Sequence, residues 1–277
     1  MRRHSASPKR IILLVVLLYA TPLFAQFDFP SMSGSSAAMG GMSVAIDDPS
    51  TAHSSVANLA SLHSTTLTLA VRQNLMAKGL NYMSASAAIP LSFGGTSLSV
   101  IHFGDAEYNE QQFSFSYAIP LGENLSLGAA FHYLHSSTSD PYYDPLHRLT
   151  FSLALRYKPS EELSLAFRAY NPIAVFSDKE SGMHTPAVFT LGASYWLNNE
   201  LLAAAEVEKN LFYDASLRLG LQYCFHENYF ARLGIQHNPI LYTFGFGGRW
   251  KHFGADFAFQ ISSHLGTTPL VSLSYIF

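Results

Sequence analysis

A histidine and a serine with the spacing of a nucleophilic pair are the first candidates for chemistry in this sequence. His135 and Ser137 are two residues apart in a segment of alternating residue types, so both side chains would lie on one face of a strand. A serine nucleophile needs the histidine as its base and a third group that orients the imidazole. The sequence does not indicate which residue would be that third group, and residues 136–139 have the composition of an ordinary loop. We therefore predict that the protein is not an enzyme.

The sequence contains no convincing site for a metal or a cofactor. Its 12 histidines are scattered, and none combines with another histidine and a carboxylate at the spacing of a metal site. Asp47 and Asp48 could bind a cation, but a helix N-cap explains Asp48 more simply. The single cysteine, Cys224, excludes an internal disulfide, and the formal net charge of -3 gives no reason to expect nucleic acid as a partner. We expect no cofactor.

Charged and amide side chains recur on one face of the strands that the sequence predicts. They are Arg156, Lys158, Arg168, Glu206, Glu208, Arg218, Gln222, Arg232, Gln236, Arg249, Asp256 and Gln260. Positively and negatively charged side chains occur on neighbouring predicted strands, for example Arg218 and Glu206. Because buried charges require partners, we favour ion pairs that fill an interior together with a folded-in segment. A polar pathway, or a latch that holds that segment, is the alternative.

Alternation with a period of two residues dominates the sequence from about residue 64 to the end, so each predicted strand has one apolar and one polar face. The pattern predicts about fourteen strands, most of about 9–13 residues, the length with which a tilted strand crosses a membrane. Gly245, Gly247 and Gly248 lie within one of them, where glycine indicates a bend or a close backbone approach. The predicted bounds are 64–73, 78–90, 95–104, 110–120, 124–136, 147–158, 162–171, 186–197, 200–209, 213–226, 229–237, 241–251, 253–263 and 269–277.

The composition agrees with strands that lie in lipid. Charged residues make up 13% of the chain and aromatic residues 14%, whereas soluble domains contain about 25% charged residues. After the first residues, no continuous apolar stretch of about 18 residues predicts a transmembrane helix. The fold class predicted is therefore all-β, a transmembrane antiparallel β-barrel of about 14 strands.

The connections between the predicted strands alternate between tight and long. If the last strand ends on the periplasmic side, the tight turns are periplasmic, and the outer set includes the long loops 137–145 and 172–185. Short periplasmic turns with longer outer loops are typical of such barrels. The aromatic residues of the outer loops are candidates for contact with a partner: Tyr142, Tyr143, Phe176 and Phe212.

The N-terminus has the pattern of an export signal. Four basic residues within positions 2–10 precede an apolar run from Ile11 to Tyr19, and small residues close the segment at Ala25. That order is typical of a cleaved secretory signal peptide, and the apolar run is too short to span a bilayer. We predict a signal peptide at 1–25, a separate N-terminal segment at 26–62 and the barrel at 63–277. The predicted location is the cell outer membrane, with its lipid as a partner.

The last predicted strand ends in an aromatic residue. Val271, Leu273, Tyr275 and the terminal Phe277 alternate on one face. This arrangement resembles the recognition signal of the barrel-assembly machinery, which we expect as a partner through Tyr275 and Phe277.

The segment before the barrel carries a motif of a known family. Residues 38–52 run Ala-Met-Gly-Gly-Met-Ser-Val-Ala-Ile-Asp-Asp-Pro-Ser-Thr-Ala and are followed by Val-Ala-Asn-Leu-Ala at 56–60. This stretch resembles the N-terminal motif of the PorV/PorQ and FadL-type outer-membrane barrels, with Leu59 in place of the family's proline. Asp48 and Pro49 predict a helix that continues to Leu62. The matching positions are Gly40, Gly41, Asp47, Asp48, Pro49 and Asn58.

The resemblance implies a fourteen-stranded barrel whose N-terminal segment, residues 26–62, folds back inside as a hatch segment. Its PorV and PorQ members imply an accessory of type IX-like protein secretion or surface attachment, with secretion-system proteins as partners; this is the first expectation. Its FadL-type members imply transport of hydrophobic small molecules, the alternative. A large apolar pocket between hatch and outer loops would favour transport, whereas a sealed lumen with an apolar patch on the loops would favour a protein partner.

Overall fold

Fourteen antiparallel strands make up most of the chain. The computed structural model describes residues 27, 29–44, 46–48, 54–176, 185–262 and 266–277; the predicted signal peptide and Pro49 lie outside these residues. The strands are β1 Thr66–Gln73, β2 Asn81–Leu91, β3 Gly94–Gly104, β4 Tyr108–Pro120, β5 Leu125–Thr138, β6 Leu146–Tyr157, β7 Leu163–Tyr170, β8 Val188–Trp196, β9 Leu201–Asn210, β10 Ser216–Phe225, β11 Tyr229–His237, β12 Leu241–Trp250, β13 Phe253–Ser262 and β14 Gly266–Ile276.

The strands close into a single barrel. Each one pairs antiparallel with its neighbour in sequence, and β1 pairs with β14 in a register that sets Thr66 opposite Ile276. The predicted fourteen-stranded antiparallel barrel is confirmed, and each strand begins and ends within a few residues of its predicted bounds.

The outer surface of the barrel is apolar and the inner surface is polar or small. Along β5, Leu127 and Phe131 are exposed on the outside, whereas Ala130 and His132 are buried on the inside. Exposed apolar side chains all round a closed sheet are stable where lipid, not water, surrounds it. Among the residues described, no helix has both the length and the apolar character that crossing a membrane would require.

The described chain before β1 lies inside the barrel, and we call residues 27, 29–44, 46–48 and 54–62 the internal segment. It contains a short helix, α1 (Gly34–Ala38), which contacts β11 to β14. A 3₁₀ helix at Val56–Ser61 contacts β2 to β6 on the opposite wall. The sequence predicted a helix from Pro49 to Leu62. In the described part of that range the structure has only this 3₁₀ helix, and its N-cap residue is Ser55.

Small residues of the wall make room for the internal segment. Val56, Ala57 and Leu59 form a buried cluster with four wall alanines, Ala88, Ala118, Ala130 and Ala154. Leu59, which stands where the motif that the sequence resembles has proline, is 2% exposed within this cluster. On the other side, Met39, Met42 and Ile46 pack against Leu202 and Ala204. The apolar core of the protein therefore lies between the internal segment and the wall.

One inward glycine lies against both the internal segment and the neighbouring strand. A Cβ atom on Gly245 would lie 2.6 Å from Ala38 Cβ and would also clash with the Phe257 carbonyl oxygen of β13. Gly245→Ala should therefore lower the free energy of unfolding by about 1–3 kcal/mol, measured by urea titration in detergent. Gly248→Ala on the same strand is the control, because its Cβ would meet Tyr229 Cδ1 at an ordinary 3.4 Å. Equal effects of the two changes would refute this account of the packing.

Candidate functional site

A buried carboxylate on β9 binds the backbone of the internal segment. Glu206 Oε2 accepts hydrogen bonds from the Ser43 and Val44 amides, both at 2.9 Å. Arg218 on the adjacent strand donates to Glu206 at 2.9 Å and to Glu208 at 2.6 Å, and it also donates to the Gly41 carbonyl at 3.0 Å. The Glu206 side chain has no solvent exposure, so the charge depends on these partners.

A second network connects the internal segment to β11, β12 and β13. Arg249 donates to Asp48 at 3.3 Å and to Asp256 at 3.0 Å, and Arg232 donates to Asp256 at 2.6 Å. The guanidinium carbons of both arginines lie over the Phe230 ring, at 5.0 and 5.5 Å from its centroid. Asp48, expected as a helix cap, is thus a partner of Arg249.

A third set of contacts lies on β6 and β7. Arg156 donates to Asp47 at 2.7 Å and to Ser164 Oγ at 3.0 Å. Arg168 donates to the Ser54 carbonyl at 3.1 Å. All the polar residues singled out from the sequence as facing an interior therefore belong to strands around the lumen or to their ends, and six of them hydrogen-bond to the internal segment. Those six are Arg156, Arg168, Glu206, Arg218, Arg249 and Gln260.

The described positions of the motif singled out in the sequence include contact points of the internal segment. Gly40 and Gly41 have φ angles of +77° and +76°, a conformation that glycine adopts without strain. This turn lets the Gly40 amide donate to Thr243 Oγ1 at 2.8 Å. Asn58 Nδ2 donates to the Ile46 carbonyl at 2.8 Å and so ties two parts of the segment together.

A cavity of about 680 Å³ lies in the lumen on the side of the long loops. The internal segment contributes Phe27, Phe29 and Pro30 to its wall, and the strands contribute both apolar and polar side chains. The apolar strand residues include Ile101, Val188 and Leu241, and the polar ones include Gln112, His132, Arg168, Glu208 and Gln260. A smaller cavity of about 410 Å³ lies at the tight-turn end, beside Asp47 and Asp48. The internal segment separates the two.

Two buried polar residues of the larger cavity region were missed in the sequence analysis. Glu110 accepts from the Phe27 amide at 3.0 Å and from the Tyr108 hydroxyl at 2.6 Å. His132 lies between two serine hydroxyls, with Nδ1 2.8 Å from Ser114 and Nε2 3.0 Å from Ser152. The strand register could have found both, because each occupies an inward position of its alternating strand.

The pair proposed for nucleophilic chemistry does not form a triad in the described contacts. His135 Nδ1 is 3.3 Å from His147 Nδ1. Ser137 Oγ donates instead to Asn109 Oδ1 at 3.2 Å. The histidine and the serine thus each have a different neighbour, and neither of these neighbours is a carboxylate.

The remaining candidates lie at the two ends of the barrel. Tyr142 and Tyr143 of the 139–145 loop are 92% and 65% exposed, and Phe212 is 45% exposed. Phe176 ends a 3₁₀ helix at Pro172–Phe176, and its side chain lies outside the description. At the other end, the rings of Tyr275 and Phe277 meet edge to face at 4.8 Å; their role in assembly stays a prediction.

Comparison with known proteins shows similarity in structure only. No protein-family model matches the chain, and no curated protein matches it significantly in sequence. The crystal structure of the Ralstonia pickettii toluene transporter TbuX is similar, with a TM-score of 0.69 and 12% identity over 91% of this chain and 100% of that one. The Pseudomonas putida toluene transporter TodX gives a TM-score of 0.63 and 13% identity over 90% and 98%. At such identity the likeness establishes the fold: this chain has the barrel fold of these transporters.

Proposed function

We propose that this protein is an outer-membrane channel that admits small hydrophobic molecules from outside the cell. The observation that carries the proposal is the cavity of about 680 Å³ between the internal segment and the long loops. Its volume lies within the range of small-molecule sites, and its wall combines the aromatic rings of Phe27 and Phe29 with polar and charged side chains of the strands. The apolar exterior is consistent with a location in lipid.

The fold likeness supports the FadL-type side of the resemblance seen in the sequence. The similar structures reported above are described as toluene transporters. The volume of the cavity is ample for a ligand of that size, and Phe27 and Phe29 supply aromatic surface within it. The internal segment then acts as the hatch, because it lies between this cavity and the one at the tight-turn end.

The second candidate is a PorV/PorQ-like accessory of protein secretion or surface attachment. The observation in its favour is the loop that exposes Tyr142 and Tyr143, since exposed aromatic residues are common at protein contacts. The structural comparisons give it no support, and the open cavity of the lumen favours transport. The two candidates differ in whether a change within the lumen alters small-molecule uptake.

Filling the cavity should reduce ligand binding. Leu241 lines the cavity at the start of β12, whereas the neighbouring Tyr242 is 54% exposed on the outer face. Leu241→Trp should weaken the binding of toluene to the detergent-solubilised protein by about tenfold or more, because a lost apolar contact site costs about 1–3 kcal/mol. Tyr242→Trp is the matched control and should bind as the wild type does. Equal binding by both variants would contradict the cavity as the ligand site.

A further inference from the structure

Three side chains with metal-binding atoms converge on the outer face of the barrel, away from the lumen. Tyr133 and His135 are two residues apart on the outward face of β5, and His147 on β6 is directly opposite His135 in the ladder. His135 Nδ1 lies 3.3 Å from His147 Nδ1, and the Tyr133 hydroxyl oxygen lies 2.6 Å from the same His147 atom. The two imidazole rings are stacked, with centroids 4.8 Å apart.

The 3.3 Å between the two imidazole nitrogens matches the spacing of two ligands around one metal ion. The Tyr133 hydroxyl is at hydrogen-bond distance from His147 Nδ1, so its side chain must turn slightly away from that nitrogen to become a ligand. Two nitrogen ligands at about 2.0–2.1 Å from a tetrahedral ion are about 3.3 Å apart. Imidazole nitrogen is a preferred ligand of Zn²⁺, Cu²⁺ and Ni²⁺. We propose that His135 and His147, with the Tyr133 hydroxyl as third ligand, form a binding site for a divalent transition-metal ion. Water would occupy the open coordination positions.

The position of the site makes it accessible from the aqueous side. β5 ends at Thr138 and β6 begins at Leu146, so both histidines lie near the end of the barrel that carries the long loops. His147 is exposed, and so is Tyr133. Rotation of the surface rings can therefore bring both nitrogen lone pairs onto one ion without a change in the sheet.

The proposed site gives a role to Tyr133, His135 and His147, which contact neither the internal segment nor the lumen. In the part of the chain that the structure describes, no group of three or more His, Cys, Asp or Glu side chains could hold a metal; the site proposed here differs from such groups because its third ligand is a phenol. A bound ion would link β5 to β6 just below the 139–145 loop. It would leave the lumen contacts of Glu206 and Arg218 unchanged, so the proposal is independent of transport.

Isothermal titration calorimetry of the full mature protein in detergent, purified without a histidine tag, tests the site. Titration with CuCl₂, and separately with ZnCl₂ and NiCl₂, should show one tight equivalent for the wild type. His135→Asn and His147→Asn should each lower the affinity at least about tenfold, since even groups that only support a ligand contribute that much. Tyr133→Phe should weaken binding less than either histidine change. A folded barrel is verified for each variant by its shifted migration in unheated SDS gels.

His102 provides the matched control. It lies on β3, pairs with Gln111 of β4 and is therefore two strands from His135, a distance of about 10 Å. His102→Asn should leave the metal affinity unchanged. The proposal is overturned if His135→Asn and His147→Asn bind metal as tightly as the wild type, or if His102→Asn loses as much affinity as they do. An unchanged affinity in Tyr133→Phe would overturn the three-ligand site.

Discussion

Replacing Glu206 with alanine is expected to release the internal segment from the wall. The change removes the acceptor of the Ser43 and Val44 amides and one of the two carboxylates paired with Arg218. Removing one partner of a buried ion pair costs about 3–5 kcal/mol. The remaining hydrogen bonds of the internal segment should not compensate for a loss of this size. Residues near Ser43 should become accessible to a protease, which can be measured by the rate of limited proteolysis in detergent.

Glu208→Ala is the appropriate control for that experiment. Glu208 pairs with the same arginine at 2.6 Å, but its side chain is 21% exposed, and its described hydrogen bond is to Arg218, not to the internal segment. Its loss should therefore raise the cleavage rate much less than the loss of Glu206. Equal cleavage of both variants at the wild-type rate would show that Glu206 does not hold the segment.

Deleting residues 30–48 should convert the closed barrel into an open channel. This stretch includes α1, the Gly40-Gly41 turn and the carboxylates that bind Arg156 and Arg249. The strands would keep their own hydrogen-bond ladders, so the barrel should still fold, and water would enter the vacated lumen. Planar-bilayer recordings should change from a closed baseline to discrete open-channel steps.

The exposed arginines should make that channel selective for anions. With Asp47 and Asp48 removed, Arg156 and Arg249 would face the water-filled lumen, and anions should permeate better than in Arg156→Gln of the same deletion variant. SDS-gel migration shows whether the deletion variant folds. If the folded variant conducts no more than the wild type, the internal segment is not the barrier to ion flow.

The strands were predictable because their signal is local. Alternation of apolar and polar residues repeats within each strand, and the long spans distinguish it from the strands of soluble proteins. Inward and outward faces followed from the same pattern, which is why Arg156 and Glu206 could be assigned to the interior before any contact was known. Strand ends shifted by a few residues, since the ladder continues into turns whose composition differs little from that of the strand.

The contacts of the internal segment could not be predicted in the same way. Helix α1 consists of Gly, Ser and Ala, and a run containing Gly and Ser has weak helix propensity by itself; its helical form depends on the Ser33 cap and on packing against β12 and β13. Asp48 looked like a local cap, yet its partner Arg249 is 201 positions away in sequence. A single sequence carries no pattern that connects residues so far apart.

Whole-cell uptake of radiolabelled toluene tests the central claim most directly. Purified lipid vesicles are unsuitable, because small apolar molecules cross a plain bilayer unaided, so intact cells with a complete outer membrane are needed. We predict that cells producing the wild-type protein take up toluene faster than cells lacking it, and that Leu241→Trp abolishes most of this gain while Tyr242→Trp retains it. Uptake that is the same with and without the protein, when the barrel is folded in the outer membrane, would contradict the proposed channel.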